Sequence, residues 1–238
     1  DAKNRGVSIR GVIDKDVRGK TYYSDTYLLE ENFDAVKSDY EKDLNTLSLL
    51  KNKKYADKCE RPEGYEGPLQ CFEGKGYASK EKLKFSGDIM HNKFFIIDGE
   101  YIWTGSANIS DTGTGGYNAN VVKTIKSKYL AEHYLIEFEQ MFNDGSFHRS
   151  KKKLKKQEIK TDIDGQEIEL FFSPQGYAMY RGVIPLIKEA NKSIDISMFF
   201  LTHKNVSKEL VAAKNKGINV RVIIDATSAT NGYSKHQY

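Results

Sequence analysis

Cysteine is scarce in this chain: two in 238 residues, Cys59 and Cys71, both within CERPEGYEGPLQC. Two sulfurs with no histidine near them exclude a structural zinc site, which takes four ligands from Cys and His. Two readings of the pair stay open. A disulfide across this Gly/Pro-rich loop of about a dozen residues closes easily and implies an oxidising compartment; the other reading is two unrelated free thiols. The disulfide is the expectation here, and with it a secreted or periplasmic protein. Long apolar runs are also lacking. None approaches the ~20 residues a membrane-spanning helix needs, so no transmembrane segment is expected. No set of Asp, Glu, His and Cys has metal-ligand spacing, so neither a metal nor another cofactor is expected. Strong charge of one sign is missing too: 37 Lys and Arg against 33 Asp and Glu leave +4. That fits a polyanionic partner, nucleic acid or an anionic membrane, without requiring one. The chain opens on Asp1 with neither an initiator methionine nor a signal peptide, and is expected to be a processed or trimmed product.

What is there is a half-matched repeat. GVSIRGVID (Gly6–Asp14) and GINVRVIID (Gly217–Asp225) share a glycine entry, an aliphatic-Arg pair and an aliphatic-aliphatic-Asp exit, 211 residues apart. Each reads as a β-branched strand. The second copy has a lead-in: EIELFFS and SIDISMFF read as strands with an amphipathic segment around Tyr177–Ala190 between them. NVSKELVAAKNKG reads as a short helix that Asn205 or Ser207 caps and Gly217 ends. Strands alternating with helices indicate an α/β sheet. The first copy has instead a tail: a polar, Tyr- and Lys-rich region, a strand at NANVVKTI, and a helix from about Lys128 to Asn143. That helix sets Ala131, Leu135, Phe138 and Phe142 on one face. The domains expected are 1–144 and 166–238, joined by the basic run 145–165, read as a solvated linker or a phosphate-facing patch.

Within the tail lies MHNKFFIIDGEYIWTGSANIS (Met90–Ser110). The run FFII (Phe94–Ile97) reads as a strand buried on both faces, and YIWTG as its antiparallel partner across a turn at Asp98–Glu100. His91 and Lys93 are two apart and share a side at the strand's entrance. Ser106 and Asn108, just past the partner strand, return to that same end. An imidazole, an ammonium, a hydroxyl and an amide about one spot are the parts for phosphoryl chemistry.

These residues, His91-x-Lys93-x4-Asp98-x6-Gly105-Ser106 with Asn108 beyond, resemble the H-x-K-x4-D-x6-G-S signature of the phospholipase D superfamily. The Gly-to-Asp strand seen twice is similar to the one preceding the motif in each family repeat. The resemblance covers about residues 1–18, 86–142 and 166–238, leaving about 19–85 as an unmatched insertion. It implies an α/β fold: a mixed sheet flanked by helices in a pseudo-twofold, two-repeat architecture that is incomplete in this chain. It also implies a metal-independent phosphodiesterase acting on phospholipid or nucleic acid through a phosphohistidine. His91 is then catalytic together with Lys93, while Lys93, Ser106 and Asn108 bind the substrate phosphate. Asp98 and Gly105 belong to the motif as structural residues. The family often orients the histidine with a carboxylate; Asn118 stands at about that place here.

The family mechanism uses two such histidines, and His203 and His236 have no lysine two residues on. The repeat offset puts the second motif near position 302, so it is expected from a missing C-terminal part or from another chain. The alternative from a different class is a non-catalytic phosphate- or polyanion-binding module on the same fold. GTGG (Gly113–Gly116) reads as a turn rather than a phosphate cradle, and His133 with Glu137 as a solvated helical pair.

Overall fold

The computed structural model describes residues 1–14, 32–39, 90–152 and 159–229. Cys59, Cys71, His236 and most of 19–85 lie outside the described residues, so the expected disulfide does too. The chain divides into two compact units, Asp1–Lys152 and Lys153–Tyr238.

In the first unit, β1 (Arg10–Ile13) runs parallel to β2 (Ala35–Ser38), with Arg10 opposite Ala35 and Ile13 opposite Ser38. The segment expected as an insertion therefore holds a strand of the fold. Its polar AVKS sequence carried too little apolar pattern to signal one. A second sheet is the antiparallel meander β3 (Phe94–Ile97), β4 (Tyr101–Gly105) and β5 (Val122–Lys126). The β3–β4 turn follows from Asp98-Gly99: both residues have positive φ (53° and 62°), and Glu100 N–H closes on the Ile97 carbonyl at 3.1 Å. That is the mirror-image turn whose twist suits a hairpin. Parallel and antiparallel pairing thus coexist in one unit with a flanking helix, as a mixed α/β fold requires.

The helix α2 (Lys128–Phe142) follows a four-residue α1 (Asp111–Thr114) and packs on β1, β3 and β4. Ser127 starts it by accepting the Leu130 N–H, as an N-cap does. The face it buries is Leu130, Ala131, Tyr134, Glu137 and Met141, not the stripe of Leu135, Phe138 and Phe142. Glu137, a carboxylate, lies on the inward stripe, which defeats a reading based on apolar spacing. Phe138 and Phe142 stack on each other, and the Arg10 guanidinium lies about 5 Å from both rings (5.1 and 5.0 Å) while pairing with Glu139 at 2.8 Å. FFII departs from expectation as well. Phe94 and Ile96 face inward, but Phe95 and Ile97 are 47% and 50% exposed, so the strand is covered on one face only.

The expected linker is also more ordered than a solvated run. Residues 145–152 fold back on α2: Ser146 N–H reaches the Gln140 carbonyl at 2.7 Å, and Phe147 and Lys151 are buried. On the other side of the unit boundary, β6 (Ile159–Ile163) forms a hairpin with β7 (Gln166–Leu170).

The rest of the second unit is a crossover. β8 (Ser193–Met198) leads through α4 (Lys204–Asn215) to β9 (Asn219–Ile224), parallel to it. Its core joins Ile184 and Ile187 of α3 (Ile184–Glu189) to Leu201, Val206, Leu210 and Ala213. The cap of α4 is His203, whose Nδ1 accepts the Val206 N–H at 3.3 Å, rather than Asn205 or Ser207. Gly217 ends the helix at φ 88°, as the left-handed C-terminal position favours. Asp225, the repeat's exit residue, accepts the Ser228 N–H at 3.1 Å at the start of α5 (Ala226–Ala229).

Candidate functional site

Register brings the motif together. Phe94 pairs with Thr104, so the residues just before β3 and just after β4 share one end of the sheet. The Thr104 hydroxyl donates to the Lys93 carbonyl at 2.9 Å and fastens the strand entrance to β4. His91 and Lys93 therefore lie at the same end of the sheet as Ser106 and Asn108, while Asp98 turns the chain at the opposite end. Asp98 is a hairpin residue and does not approach the imidazole.

Gly105 is required by a close approach. A Cβ there would lie 2.1 Å from the Val121 carbonyl oxygen and 2.7 Å from the Val122 Cα. Only glycine lets β4 and β5 come this near, and the contact fixes Ser106. Its N–H donates to the Val121 carbonyl at 2.9 Å, and its hydroxyl accepts the Val121 N–H at 3.0 Å. The same hydroxyl donates to Asn120 Oδ1 at 2.9 Å, and Asn120 in turn donates to the Gly113 carbonyl at 2.9 Å.

The amide that bonds to Ser106 is thus Asn120 rather than Asn118. Asn118 is engaged through its backbone, to the Thr112 carbonyl and from Asn120, and makes no hydrogen bond to His91. Ser106 pairs through its backbone with Val121, so the neighbouring Asn120 is the amide within its reach. The GTGG stretch runs from the end of α1 into a turn. Gly113 N–H is taken by the Ser110 hydroxyl and Thr114 N–H by the Ser110 carbonyl, so neither is free to cradle a phosphate.

His91 remains open to solvent. Partial desolvation holds its pKa below the ordinary value of 6.5, and the nearby Lys93 ammonium pushes the same way. Both effects favour the neutral imidazole, the nucleophilic form. Lys93 is also shifted down by desolvation, while the Asp14 carboxylate opposes that shift. Its ammonium donates to the His91 carbonyl at 2.8 Å, which leaves two of three donors for an anion.

Sequence reasoning missed the carboxylates behind the motif. Asp14, the exit residue of β1, accepts the Met90 N–H at 2.9 Å, and Asp39 accepts it at 3.4 Å. The Asp-terminated repeat strand was the available signal for Asp14. Nothing local signals Asp39. The pairing of His133 with Glu137 is not solvated either: His133 meets the Tyr129 ring edge-on at 4.7 Å, and Glu137 is buried against Lys151 and Asn92. Among the described residues no three His, Cys, Asp or Glu side chains are grouped to hold a metal ion, and no helix is long and apolar enough to cross a membrane.

A family whose description reads "Cardiolipin synthase, PLD-like domain" matches residues 1–142 and 183–238. The match runs through 19–85 without a break and resumes at 183 rather than 166. No curated protein matches the chain.

Proposed function

The chain belongs to the phospholipase D superfamily, whose chemistry is that of phosphodiesters, and from this premise we propose that it is a phosphodiester hydrolase with His91 at its reacting centre. The observation that supports the reading is the convergence of His91, Lys93, Ser106 and Asn108 at one sheet end, with the imidazole biased toward its neutral form.

In the proposed reaction a His91 ring nitrogen attacks phosphorus. A P–N bond forms, the ester P–O bond breaks, and the departing oxygen takes a proton from a second histidine. Water then gives that proton back as it attacks phosphorus and breaks the P–N bond, releasing phosphomonoester and restoring both rings. Lys93 and the neutral donors at the site stabilise the oxyanion charge that develops, a role metals fill elsewhere. The roles of the two histidines are interchangeable in this scheme, so His91 is either nucleophile or proton donor. The second histidine belongs to a second H-x-K, supplied by a further segment or another chain. An alcohol in place of water would give head-group transfer. The substrate is a phospholipid or a nucleic acid, since the motif addresses the phosphodiester and not its substituents.

The test is hydrolysis of bis-p-nitrophenyl phosphate by an assembly containing both motifs, with and without His91→Ala. Loss of turnover supports the reading, and a surviving rate refutes it. Phosphate binding without turnover in the wild-type assembly would favour the non-catalytic module. A panel of phosphatidylcholine, cardiolipin, single- and double-stranded DNA and RNA then separates lipid from nucleic acid. Lys93→Ala should cost about 10²–10³-fold, as loss of one oxyanion donor does.

A further inference from the structure

The H-x-K segment is gripped from behind by residues far from it in sequence. On the N-terminal side of His91, the Met90 N–H is held by Asp14 at 2.9 Å and, at 3.4 Å, by Asp39, whose Oδ2 lies 3.3 Å from His148 Nε2, with the Asp39 and His148 side chains nearly buried (7% and 15% exposed). On the C-terminal side, Asn92 Nδ2 donates to Glu137 Oε1 at 3.3 Å, and Glu137 is paired with the Lys151 ammonium. The partners of both carboxylates, His148 and Lys151, come from one short turn, 148–151, a few residues after α2. That turn is itself braced. Phe147 is buried beside it, the Ser150 hydroxyl returns to the Phe147 carbonyl at 2.6 Å, and Lys152 N–H binds Gln140 Oε1 at 2.8 Å. His148 holds a left-handed φ of 49°, a conformation that costs free energy and persists where its surroundings impose it.

We propose that His148 and Lys151 are positioning residues for the site, fixing two of the carboxylates that hold Met90 and Asn92 and so aiming His91 and Lys93 outward. The physical basis is strand alternation. Asn92 points to the side opposite its neighbours, so an anchor on Asn92 sets the direction of both of them. A buried carboxylate keeps its place only while its charge is compensated. Without these two partners, a donor to Asp39 and an ammonium beside Glu137, the carboxylates would move toward water or take up protons, and the segment between them would lose its grip. The basic run after α2 thereby acquires a role at the site.

This inference rests on the proposed function for its purpose, but its test does not need turnover. The probes are inorganic phosphate and the titration of the His91 ring, followed by NMR on the whole chain, with each variant first checked for cooperative melting. His148→Ala is expected to weaken phosphate binding by about 10–100-fold, the scale on which loss of an outer partner loosens a metal ligand, and to move the His91 midpoint. His148→Gln, which keeps a donor toward Asp39, is expected to restore both. Lys151→Met should act in the same direction, with rescue by Lys151→Arg.

A purely structural role would lower the melting temperature and leave affinity and midpoint alone in the folded variants, and that result overturns the proposal. If the His148 and Lys151 variants fail to fold, Asn92→Ala tests the grip from the strand side with the same two readouts, and no change in either refutes it. Wild-type chain that binds no phosphate at all would count against the phosphodiesterase reading, while the His91 midpoint would still decide this one.

Discussion

Replacing Gly105 with alanine should damage both stability and the site, by an amount the local geometry allows to be worked out. The added Cβ would sit 2.1 Å from the Val121 oxygen and 2.7 Å from the Val122 Cα. Both are backbone atoms in a paired strand, so no side chain can rotate away. β5 must retreat by about an ångström or more to reach ordinary van der Waals separation. The retreat breaks the two bonds that close this end of the ladder, Ser106 N–H to the Val121 carbonyl at 2.9 Å and Val121 N–H to the Ser106 hydroxyl at 3.0 Å. Overpacking costs about 1–3 kcal/mol, and each lost hydrogen bond about 0.5–1.5 kcal/mol. The expected destabilisation is therefore about 2–6 kcal/mol, a large part of a domain's stability. Urea unfolding followed by fluorescence of Trp103, the chain's one tryptophan and a β4 residue packed edge-on against Phe95, reports on this sheet directly. Gly99→Asn is the control, because that position has open space around it and a left-handed φ that asparagine tolerates. A Gly105→Ala protein that unfolds at the same urea concentration as wild type and binds phosphate equally well would refute the argument.

Three further outcomes are expected. His91 should titrate below 6.5, so a rate that depends on its neutral form should be flat near neutrality and fall on acidification, and Lys93→Met should move the midpoint up. The sign for stability is the same: with the folded pKa below the unfolded one, the unfolded chain binds more protons between the two, and stability declines as pH drops below about 6.5. Lys151→Met strands the buried Glu137 carboxylate and should cost about 3–5 kcal/mol in chemical denaturation, whereas Arg221→Ala, which breaks a solvent-exposed pair with Asp195, should leave the midpoint nearly unmoved; equal effects would mean that burial does not set the energetics. Turnover by the two-motif assembly should survive EDTA, and abolition by chelator with rescue by Mg²⁺ would overturn the proposed mechanism.

How much was legible in advance depends on how far apart the interacting residues lie. The hairpin that builds the site is local. Asp98-Gly99 specifies its turn, the flanking apolar runs specify its strands, and the resulting register alone puts His91 and Lys93 at the same sheet end as Ser106 and Asn108. The same holds for α2, whose start is written in Ser127, and for the Gly217 stop of α4. Spacing along the chain carries such information because turns and caps act over three or four residues.

What only the tertiary structure decided is what stands behind the motif. Asp14, Asp39, Glu137, His148 and Lys151 reach Met90–Lys93 across separations of tens of residues, through a strand too polar to announce itself and a basic run that composition assigns to solvent. Glu137 also misdirected the reading of its helix, since a buried carboxylate counts as polar in any periodicity. It lies on the inward face because a cation and an amide donor await it there, and partners of that kind are a property of the fold, not of the segment. The Ser106–Asn120 contact is tertiary in the same way: β5 approaches β4 closely enough to bring Asn120 to Ser106 only because residue 105 has no side chain.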